Sequence, residues 1–313
     1  MFAAIVSVGN ARVKSAVRLK ESKARRRENA CLVDGAREIE RALRSNFKVK
    51  TLFWNAGSRV QADERPELRE TLLTSGRSEE RAREIEALAL KVDATGAPTI
   101  PLGRAAFEKL SFGDRDEGVV AIVEARTATL EELDTMIAAR AADRGEAPLV
   151  AVVEDVEKPG NLGAILRSAD GAGVHALVVA STRGEHDVFN PNAIRSSLGA
   201  IFHIPIAVAS PSEVLAWLRV GGYQRATALC DESTPYTQID YTRPTAIILG
   251  TEADGLTAIW SEETPDDVER ALLQKVRLPM LGVADSLNVS NAAAIFFYEA
   301  RRVRMARRQA DDR

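Results

Sequence analysis

The sequence predicts an α/β protein in which a mostly parallel C-terminal sheet follows a smaller α/β domain. Short apolar runs alternate with helical patterns from residue 149 onward, which is typical of a parallel sheet covered on both faces. Residues 30–125 alternate in a similar way over a shorter span. Between them, residues 143–148 contain the Gly and Pro of a boundary. We therefore expect two domains, over residues 1–145 and 146–313.

The elements of the N-terminal domain are predicted from periodicity and composition. Helices are expected at Ala36–Leu43, Ser78–Leu90 and Thr129–Ala142, and extended segments at Lys50–Trp54 and Gly118–Val123. In the third helix, Leu130, Leu133 and Ile137 share one face, so that face is expected to be the packed one.

The C-terminal domain is predicted to run strand, helix, strand for most of its length. Strands are expected at Leu149–Val153, Ala176–Ala180, Ala226–Leu229, Ala246–Leu249 and Val276–Leu278, and helices at Leu162–Asp170, Asn192–Leu198, Ser212–Leu218 and Ser290–Arg304. Ligands of open α/β sheets bind outside the carboxyl ends of the strands. The turns that follow these strands are therefore the first place to look for function.

Composition excludes several protein classes. Hydrophobic residues make up 45% of the chain and charged residues 28%, so wholesale disorder is not expected. No apolar stretch approaches the roughly 20 residues of a membrane-spanning helix, and the N-terminus does not resemble a signal peptide. Cys31 and Cys230 are far apart, and the histidines have no ligand spacing, so we expect a reducing cytoplasm and no metal centre.

Charge is segregated along the chain although the net charge is only −3. Residues 12–27 contain eight Lys or Arg residues and one acid, Glu21, and the last helix carries five arginines from Arg301 to Arg308. Such patches could neutralise RNA phosphates, or they could be solvated helix faces at the chain ends.

Three turns after apolar strands combine glycine with uncommon polar groups. The first contains Asn161 and is followed by Arg167, the second holds Glu252 between two glycines, and the third contains Ser286 and Asn288. Each group also has a structural interpretation, because Asn and Ser cap helices, acids favour helix starts, and an arginine can be a surface residue. Dinucleotide-binding, ATP-binding and nucleophile-elbow motifs are absent.

Together the three segments resemble the signature motifs of the SpoU/TrmH family of RNA ribose 2′-O-methyltransferases, within the SPOUT superfamily. The matching positions are Asn161, Gly163 and Arg167; Gly250, Glu252 and Gly255; and Pro279, Met280 and Ser286–Ser290. The resemblance covers about Leu149 to Arg304. More loosely, Arg26 to Val123 resembles the substrate-binding domain of family members that act on ribosomal RNA.

The resemblance implies a C-terminal domain with a trefoil knot that dimerises and binds S-adenosylmethionine in the knot. It assigns cofactor binding to Gly250, Leu278 and Leu287, and the reaction centre to Asn161, Arg167, Glu252, Ser286 and Asn288. Arg167 would assist removal of the 2′-hydroxyl proton, acting from the opposite subunit. Because an arginine with a pKa above about 12 is a poor base, a role in positioning a phosphate is preferred, and both roles stay open.

The resemblance therefore predicts a cytoplasmic, homodimeric enzyme that uses S-adenosylmethionine to methylate ribose in ribosomal RNA, with no membrane association. Transfer RNA methylation is the first alternative. A non-catalytic RNA-binding or ribosome-assembly protein of the same fold is the second. The same chemistry would serve housekeeping modification or antibiotic resistance, so the modified nucleotide and the biological role stay open.

Overall fold

The computed structural model describes residues 2–57, 61–62, 65–74, 77–112, 117–184, 186–229, 234–251 and 255–311. The helices are α1 Ala11–Arg18, α2 Ser22–Glu28, α3 Ala36–Arg44, α4 Leu68–Thr74, α5 Glu79–Ala94, α6 Arg104–Leu110, α7 Leu130–Arg144, α8 Pro159–Ala172, α9 Pro191–Ser196, α10 Ala200–His203, α11 Pro211–Val220, α12 Pro265–Glu269 and α13 Val289–Asp311. The strands are β1 Ala30–Asp34, β2 Val49–Asn55, β3 Thr99–Leu102, β4 Val119–Glu124, β5 Leu149–Glu154, β6 Ala176–Ala180, β7 Ile206–Ala209, β8 Gln224–Ala228, β9 Thr234–Pro235, β10 Thr245–Leu249 and β11 Leu273–Arg277.

The predicted α/β alternation is confirmed, and every helix and strand that was predicted individually is present, β6 with the predicted ends and the others with shifted ends. The strand predicted at Val276–Leu278 begins earlier, at Leu273, and ends one residue before Leu278. The polar residues Gln274 and Lys275 hid the first part of the strand from the sequence prediction. They are tolerated because β11 lies next to a two-residue edge strand and is only partly buried.

The chain forms two compact units, one of Met1–Arg126 with Phe189–His203 and the other of Thr127–Val188 with Ile204–Arg313. This division differs from the predicted boundary at 145/146. Helix α7 belongs to the second unit because its Leu133 and Ile137 are buried in that unit's core. Which functions the two predicted domains serve stays a prediction.

The first unit contains a four-stranded sheet in the order β1-β4-β2-β3 among its described residues. Strand β4 is antiparallel to both neighbours, whereas β2 and β3 are parallel. Val13, Ala16 and Leu19, from the basic N-terminal segment, are buried in the core beneath this sheet. Phe189 and Phe202, from the later segment, pack around the ring of Phe47.

The second unit contains a seven-stranded parallel sheet, over the residues described, in the order β7-β6-β5-β10-β8-β11-β9. From β5 the chain adds β6 and β7 on one side and then crosses to the other side, where β10 lies directly beside β5. Such a reversal leaves a crevice at the carboxyl ends of the central strands. The trefoil knot stays a prediction.

Helix α13 packs along α8, and one of its arginines, Arg304, serves the fold. Arg304 is buried and donates hydrogen bonds to the carbonyl oxygens of Ala147, Pro148, Tyr241 and Arg243. Burial lowers the pKa of Arg304 to about 10. Neither interpretation of the C-terminal basic patch, an RNA-binding surface or a solvated helix face, applies to Arg304, because its guanidinium holds backbone carbonyl groups.

Across the described ranges, no helix has the length and apolar character needed to cross a membrane.

Candidate active site

A cavity of about 340 Å³ lies at the carboxyl ends of β8 and β10. Its described lining residues are Ala228, Leu229, Leu249, Gly250, Thr251, Gly255, Leu278, Met280, Asp285, Ser286, Leu287, Val289, Ala292 and Phe296. The lining combines apolar side chains with backbone and a few polar groups, which is the usual composition of a small-molecule site.

The turn after β10 forms one wall of this cavity. Thr251 and Gly255 exchange backbone hydrogen bonds of 3.1 and 3.2 Å, which folds the chain back on itself. A Cβ atom on Gly250 would lie 2.2 Å from the carbonyl oxygen of Gly255, so only glycine fits there. Gly255 has φ +68°, which also favours glycine. Glu252, predicted to act in the reaction centre, lies outside the described residues.

The three predicted cofactor-binding residues lie around one cavity. Gly250 comes from the turn after β10, Leu278 directly follows β11, and Leu287 precedes α13. Ser286, predicted in the reaction centre, lines the same cavity. Residues that are up to 37 positions apart in sequence thus share one wall because parallel strands end at one edge of the sheet.

Asn288 links two predicted reaction-centre positions. Its side-chain oxygen accepts hydrogen bonds from the backbone N–H of Ser290 at 3.0 Å and from the Ser290 hydroxyl at 2.6 Å, so Asn288 caps α13. Its Nδ2 group also donates to Oδ1 of Asn161 at 3.3 Å. The capping interpretation and the site interpretation therefore both apply to Asn288.

Asn161 does not cap the helix that follows its turn, so the capping interpretation of this residue is wrong. Helix α8 begins at Pro159, and Asn161 is the third residue of its first turn. Proline is favoured at the first helical position because that position needs no N–H donor. The side-chain oxygen of Asn161 accepts a hydrogen bond from Nδ2 of Asn288.

The loop that leads into α8 is held by neighbours. Asp155 has φ +44°, an unusual value for a residue other than glycine, and its carboxylate accepts hydrogen bonds from the backbone N–H and hydroxyl of Thr182. His186 donates from Nε2 to the carbonyl oxygen of Val156 at 2.9 Å. These contacts fix the approach of the chain to α8, which carries Asn161 and Arg167.

Arg167 does not lie at the cavity of its own chain. Its side chain is exposed and does not line the cavity, and it forms no hydrogen bond or ion pair with any residue in the described ranges. Six residues of α-helix separate it from Asn161, which places the two side chains roughly 120° apart around α8. The guanidinium of Arg167 therefore leaves the helix in a different direction from the amide of Asn161.

Sequence reasoning missed the role of Glu154, the last residue of β5. This buried carboxylate accepts hydrogen bonds from the backbone N–H of Thr257 at 2.8 Å and from its hydroxyl at 2.7 Å. It thereby joins the end of β5 to the chain just after the Gly250–Gly255 turn. An acid at the end of an otherwise apolar buried strand was the signal that could have identified it.

The basic N-terminal segment divides into structural and exposed cations. Arg25 is buried and donates to the carbonyl oxygens of Leu19 and Lys20, and Lys20 donates to the carbonyl of Ser111. Burial is also the main cause that lowers the pKa of Lys20. In contrast, Lys14, Arg18 and Lys23 are exposed.

Comparisons with known proteins agree with this arrangement. Residues 148–298 match the model of the SpoU rRNA Methylase family, and residues 10–121 match the MRM3-like substrate binding domain. The 23S rRNA (uridine(2479)-2′-O)-methyltransferase of Streptomyces viridochromogenes is 31% identical over 91% of this chain and 87% of its own length. The 23S rRNA (guanosine(2553)-2′-O)-methyltransferase RlmP of Bacillus subtilis (strain 168) is 28% identical over 95% and 98%.

A solved structure extends the likeness to the whole fold. The AdoMet-bound rRNA methyltransferase from Sinorhizobium meliloti superposes with a TM-score of 0.74 and is 27% identical, covering 96% of this chain and 97% of that protein. The sequence matches, the parallel sheet and the cavity at its carboxyl edge lead to one conclusion. The chain belongs to the SpoU rRNA methylase family and carries an N-terminal domain of the MRM3-like substrate-binding type.

Proposed function

We propose that this protein transfers the methyl group of S-adenosylmethionine to a ribose 2′-hydroxyl of ribosomal RNA. The observation that carries the proposal is the meeting of Gly250, Leu278, Ser286 and Leu287 around one cavity at the carboxyl edge of the sheet. Asn288 comes directly after the lining residue Leu287 in the chain, and its side-chain amide is hydrogen-bonded to that of Asn161.

The cavity has properties that fit S-adenosylmethionine. Its volume of about 340 Å³ falls within the range of roughly 300–1,000 Å³ typical of small-molecule sites. At Gly250 the backbone itself lines the cavity, because a side chain there would clash with the backbone of Gly255. Leu278 and Leu287 supply apolar surface for the adenosine, with their backbone groups able to bind its polar edge.

The bound cofactor would supply an electrophilic methyl group on a positively charged sulfur. The ribose oxygen forms the new O–C bond as the C–S bond breaks, the sulfur keeps the electron pair, and the hydroxyl proton is released. The protein must hold the oxygen, carbon and sulfur in line, while the hydroxyl proton passes to water. We assign this positioning to Ser286, Asn288 and Asn161, with Glu252 as a further proposed member.

We further propose that Arg167 acts across a homodimer formed by the C-terminal domain. Arg167 is exposed and lies outside the cavity lining of its own chain. Helix α13 also exposes apolar side chains, with Ile295 37%, Tyr298 54% and Met305 47% accessible, as expected of a helix that a second subunit covers. A guanidinium is suited to binding an RNA phosphate next to the reacting ribose, and less suited to serving as a base.

Ribosomal RNA is the proposed substrate class because the relatives that match along nearly the whole chain are named as 23S rRNA methyltransferases. The N-terminal domain is of the MRM3-like substrate-binding type and would add a second RNA-binding surface. This domain favours ribosomal RNA, so transfer RNA is the second candidate. A cytoplasmic location follows as a proposal from this substrate.

A direct test uses methyl-labelled S-adenosylmethionine with separate pools of unmodified ribosomal and transfer RNA. After nuclease digestion, we expect the label in a 2′-O-methylated nucleoside from ribosomal RNA. Label in transfer RNA alone would keep the reaction and reject the substrate class. If no label appears and the protein does not bind the cofactor, the non-catalytic alternative is correct.

The exposed N-terminal cations are expected to contribute to RNA affinity. Lys14, Arg18 and Lys23 have no ion-pair partner within the part of the chain that the structure describes. Replacing all three with alanine should reduce the slope of log K against log salt by about 2, because each lost phosphate contact lowers it by about 0.7–0.9. Filter binding of ribosomal RNA at several salt concentrations measures this slope.

The matched control replaces three exposed cations that already have acidic partners. These are Arg83, Lys91 and Arg104, which pair with Glu79, Glu40 and Glu108. This variant loses the same charge but should keep most of the wild-type slope. Equal slopes for the two triple variants would show that only net charge matters.

A further inference from the structure

Asp285 places a carboxylate against the cavity. Among the described residues that line the cavity, Asp285 is the only one with a charged side chain. It is exposed and forms no hydrogen bond or ion pair with any residue that the structure describes. Asp285 is adjacent to Ser286, which lines the same cavity, and neither the fold nor the proposed positioning of the ribose uses its charge.

A carboxylate without a polar partner among the described residues favours a cationic ligand. The cavity wall around Asp285 includes apolar groups such as Leu249, Leu278 and Phe296. Apolar walls exclude water when a ligand is bound, and the attraction between opposite charges becomes stronger as the effective dielectric constant falls. No described cation in the lining competes for the carboxylate.

We propose that Asp285 supplies the counter-charge for a cationic group of S-adenosylmethionine. This inference depends on the proposed binding of the cofactor in this cavity. The cofactor carries two positive groups, the sulfonium at the reacting carbon and the ammonium of its methionine part. Its demethylated product, S-adenosylhomocysteine, keeps the ammonium but has a neutral sulfur.

The two cationic groups have different consequences for turnover. Contact with the sulfonium would make Asp285 discriminate between cofactor and product, because the attraction disappears when the methyl group leaves. Contact with the ammonium would stabilise both molecules equally. In either case the carboxylate makes the cavity prefer adenosine derivatives that carry a positive group over those that carry none.

The experiment measures the Kd of S-adenosylmethionine and S-adenosylhomocysteine by calorimetry for wild-type protein and for Asp285→Asn. Asparagine keeps the size of the side chain and removes its charge. We expect Asp285→Asn to weaken S-adenosylmethionine binding about tenfold, the order expected for one partly solvated charge pair. Asp266→Asn, the same change at an exposed aspartate outside the cavity, should leave the Kd unchanged.

The comparison of the two ligands identifies the cationic group. A loss confined to S-adenosylmethionine assigns Asp285 to the sulfonium, and an equal loss for both ligands assigns it to the ammonium. Both results support the proposal.

A cavity-filling variant, Ala292→Phe, separates failure of this inference from failure of the cofactor site. If Ala292→Phe prevents binding but Asp285→Asn binds S-adenosylmethionine like the wild type, Asp285 is not its counter-charge. If both variants bind it like the wild type, the cofactor does not occupy this cavity, and the proposal for Asp285 is overturned with it. Thermal unfolding of each variant confirms that the protein measured is folded.

Discussion

Replacing Arg167 with alanine is expected to lower methyl transfer by about 10²–10³-fold, the usual loss when one preorganised donor is removed from a reaction centre. The fold should be unaffected, because Arg167 is exposed and has no polar partner among the described residues. Cofactor affinity should also be unchanged, since Arg167 does not line the cavity. Single-turnover methylation and calorimetry measure the two quantities separately.

The control is Arg183→Ala, which removes another exposed arginine of the same unit, one that pairs with Glu157 at 3.3 Å. We expect wild-type rates for this variant. Arg167→Lys distinguishes charge from geometry, because lysine restores a cation without the planar fork that binds phosphate at two points. A wild-type rate for Arg167→Ala would remove this residue from the mechanism.

Mixing two inactive variants tests whether Arg167 acts across the dimer. A mixed dimer of Arg167→Ala and Ala292→Phe has one open cavity, and the other subunit supplies an intact Arg167. Random assembly makes half of the dimers mixed, so about a quarter of the wild-type sites should be active. If Arg167 acted within its own chain, the mixture would stay inactive.

The largest expected loss of stability comes from Asp267→Ala. Asp267 and Arg225 form an ion pair with 3.0 Å between Oδ1 and Nη1, and their side chains are 1% and 0% exposed. Removing one partner of a buried pair typically lowers the free energy of unfolding by about 3–5 kcal/mol, because the other charge stays buried without compensation. Urea unfolding followed by circular dichroism measures this change.

The neighbouring residue provides a matched control. Asp266 forms an exposed pair with Arg270 at 3.3 Å, so Asp266→Ala should change stability much less than Asp267→Ala. Similar losses for the two variants would mean that burial does not determine the strength of the Asp267 pair.

The pair also predicts a pH dependence. Burial alone would raise the pKa of Asp267, but hydrogen bonds from Thr264 and Arg225 outweigh it and lower the pKa to about 2. A carboxylate with a depressed pKa in the folded state stabilises the protein at pH values above its unfolded pKa. The difference between wild type and Asp267→Ala should therefore be constant above about pH 4 and decrease as the pH falls through 2.

The residues predicted to bind the cofactor lie together in the structure, whereas the predicted reaction-centre residues are brought together only in part. Gly250 lies in the second motif and Leu278 and Leu287 in the third, and all three line one cavity. Asn161 was given a possible capping role that the structure assigns to Asn288 at another helix. Glu154 was overlooked because its partner, Thr257, lies 103 residues away and only folding brings the two together.

Charge was the feature that sequence interpreted least well. Arg25, Arg304 and Arg225 look like surface cations in the sequence, yet all three are buried and bound to carbonyl or carboxylate oxygens. A charged side chain is read from sequence as exposed because burial is unfavourable without partners. The partners of Arg304 and Arg225 are distant in the chain, so no local pattern reveals them.

The sequence by itself determined the α/β alternation, the polar strand ends and the family, because these depend on local periodicity and on short motifs. Only the tertiary structure decided which strand ends meet, where Asp285 faces and which cations are exposed. Strand order depends on pairing between segments that are far apart, and the position of a side chain depends on the neighbours that folding supplies. The chemistry of this site was therefore present in the sequence as separate residues and became one cavity through the crossing of the chain between β5 and β10.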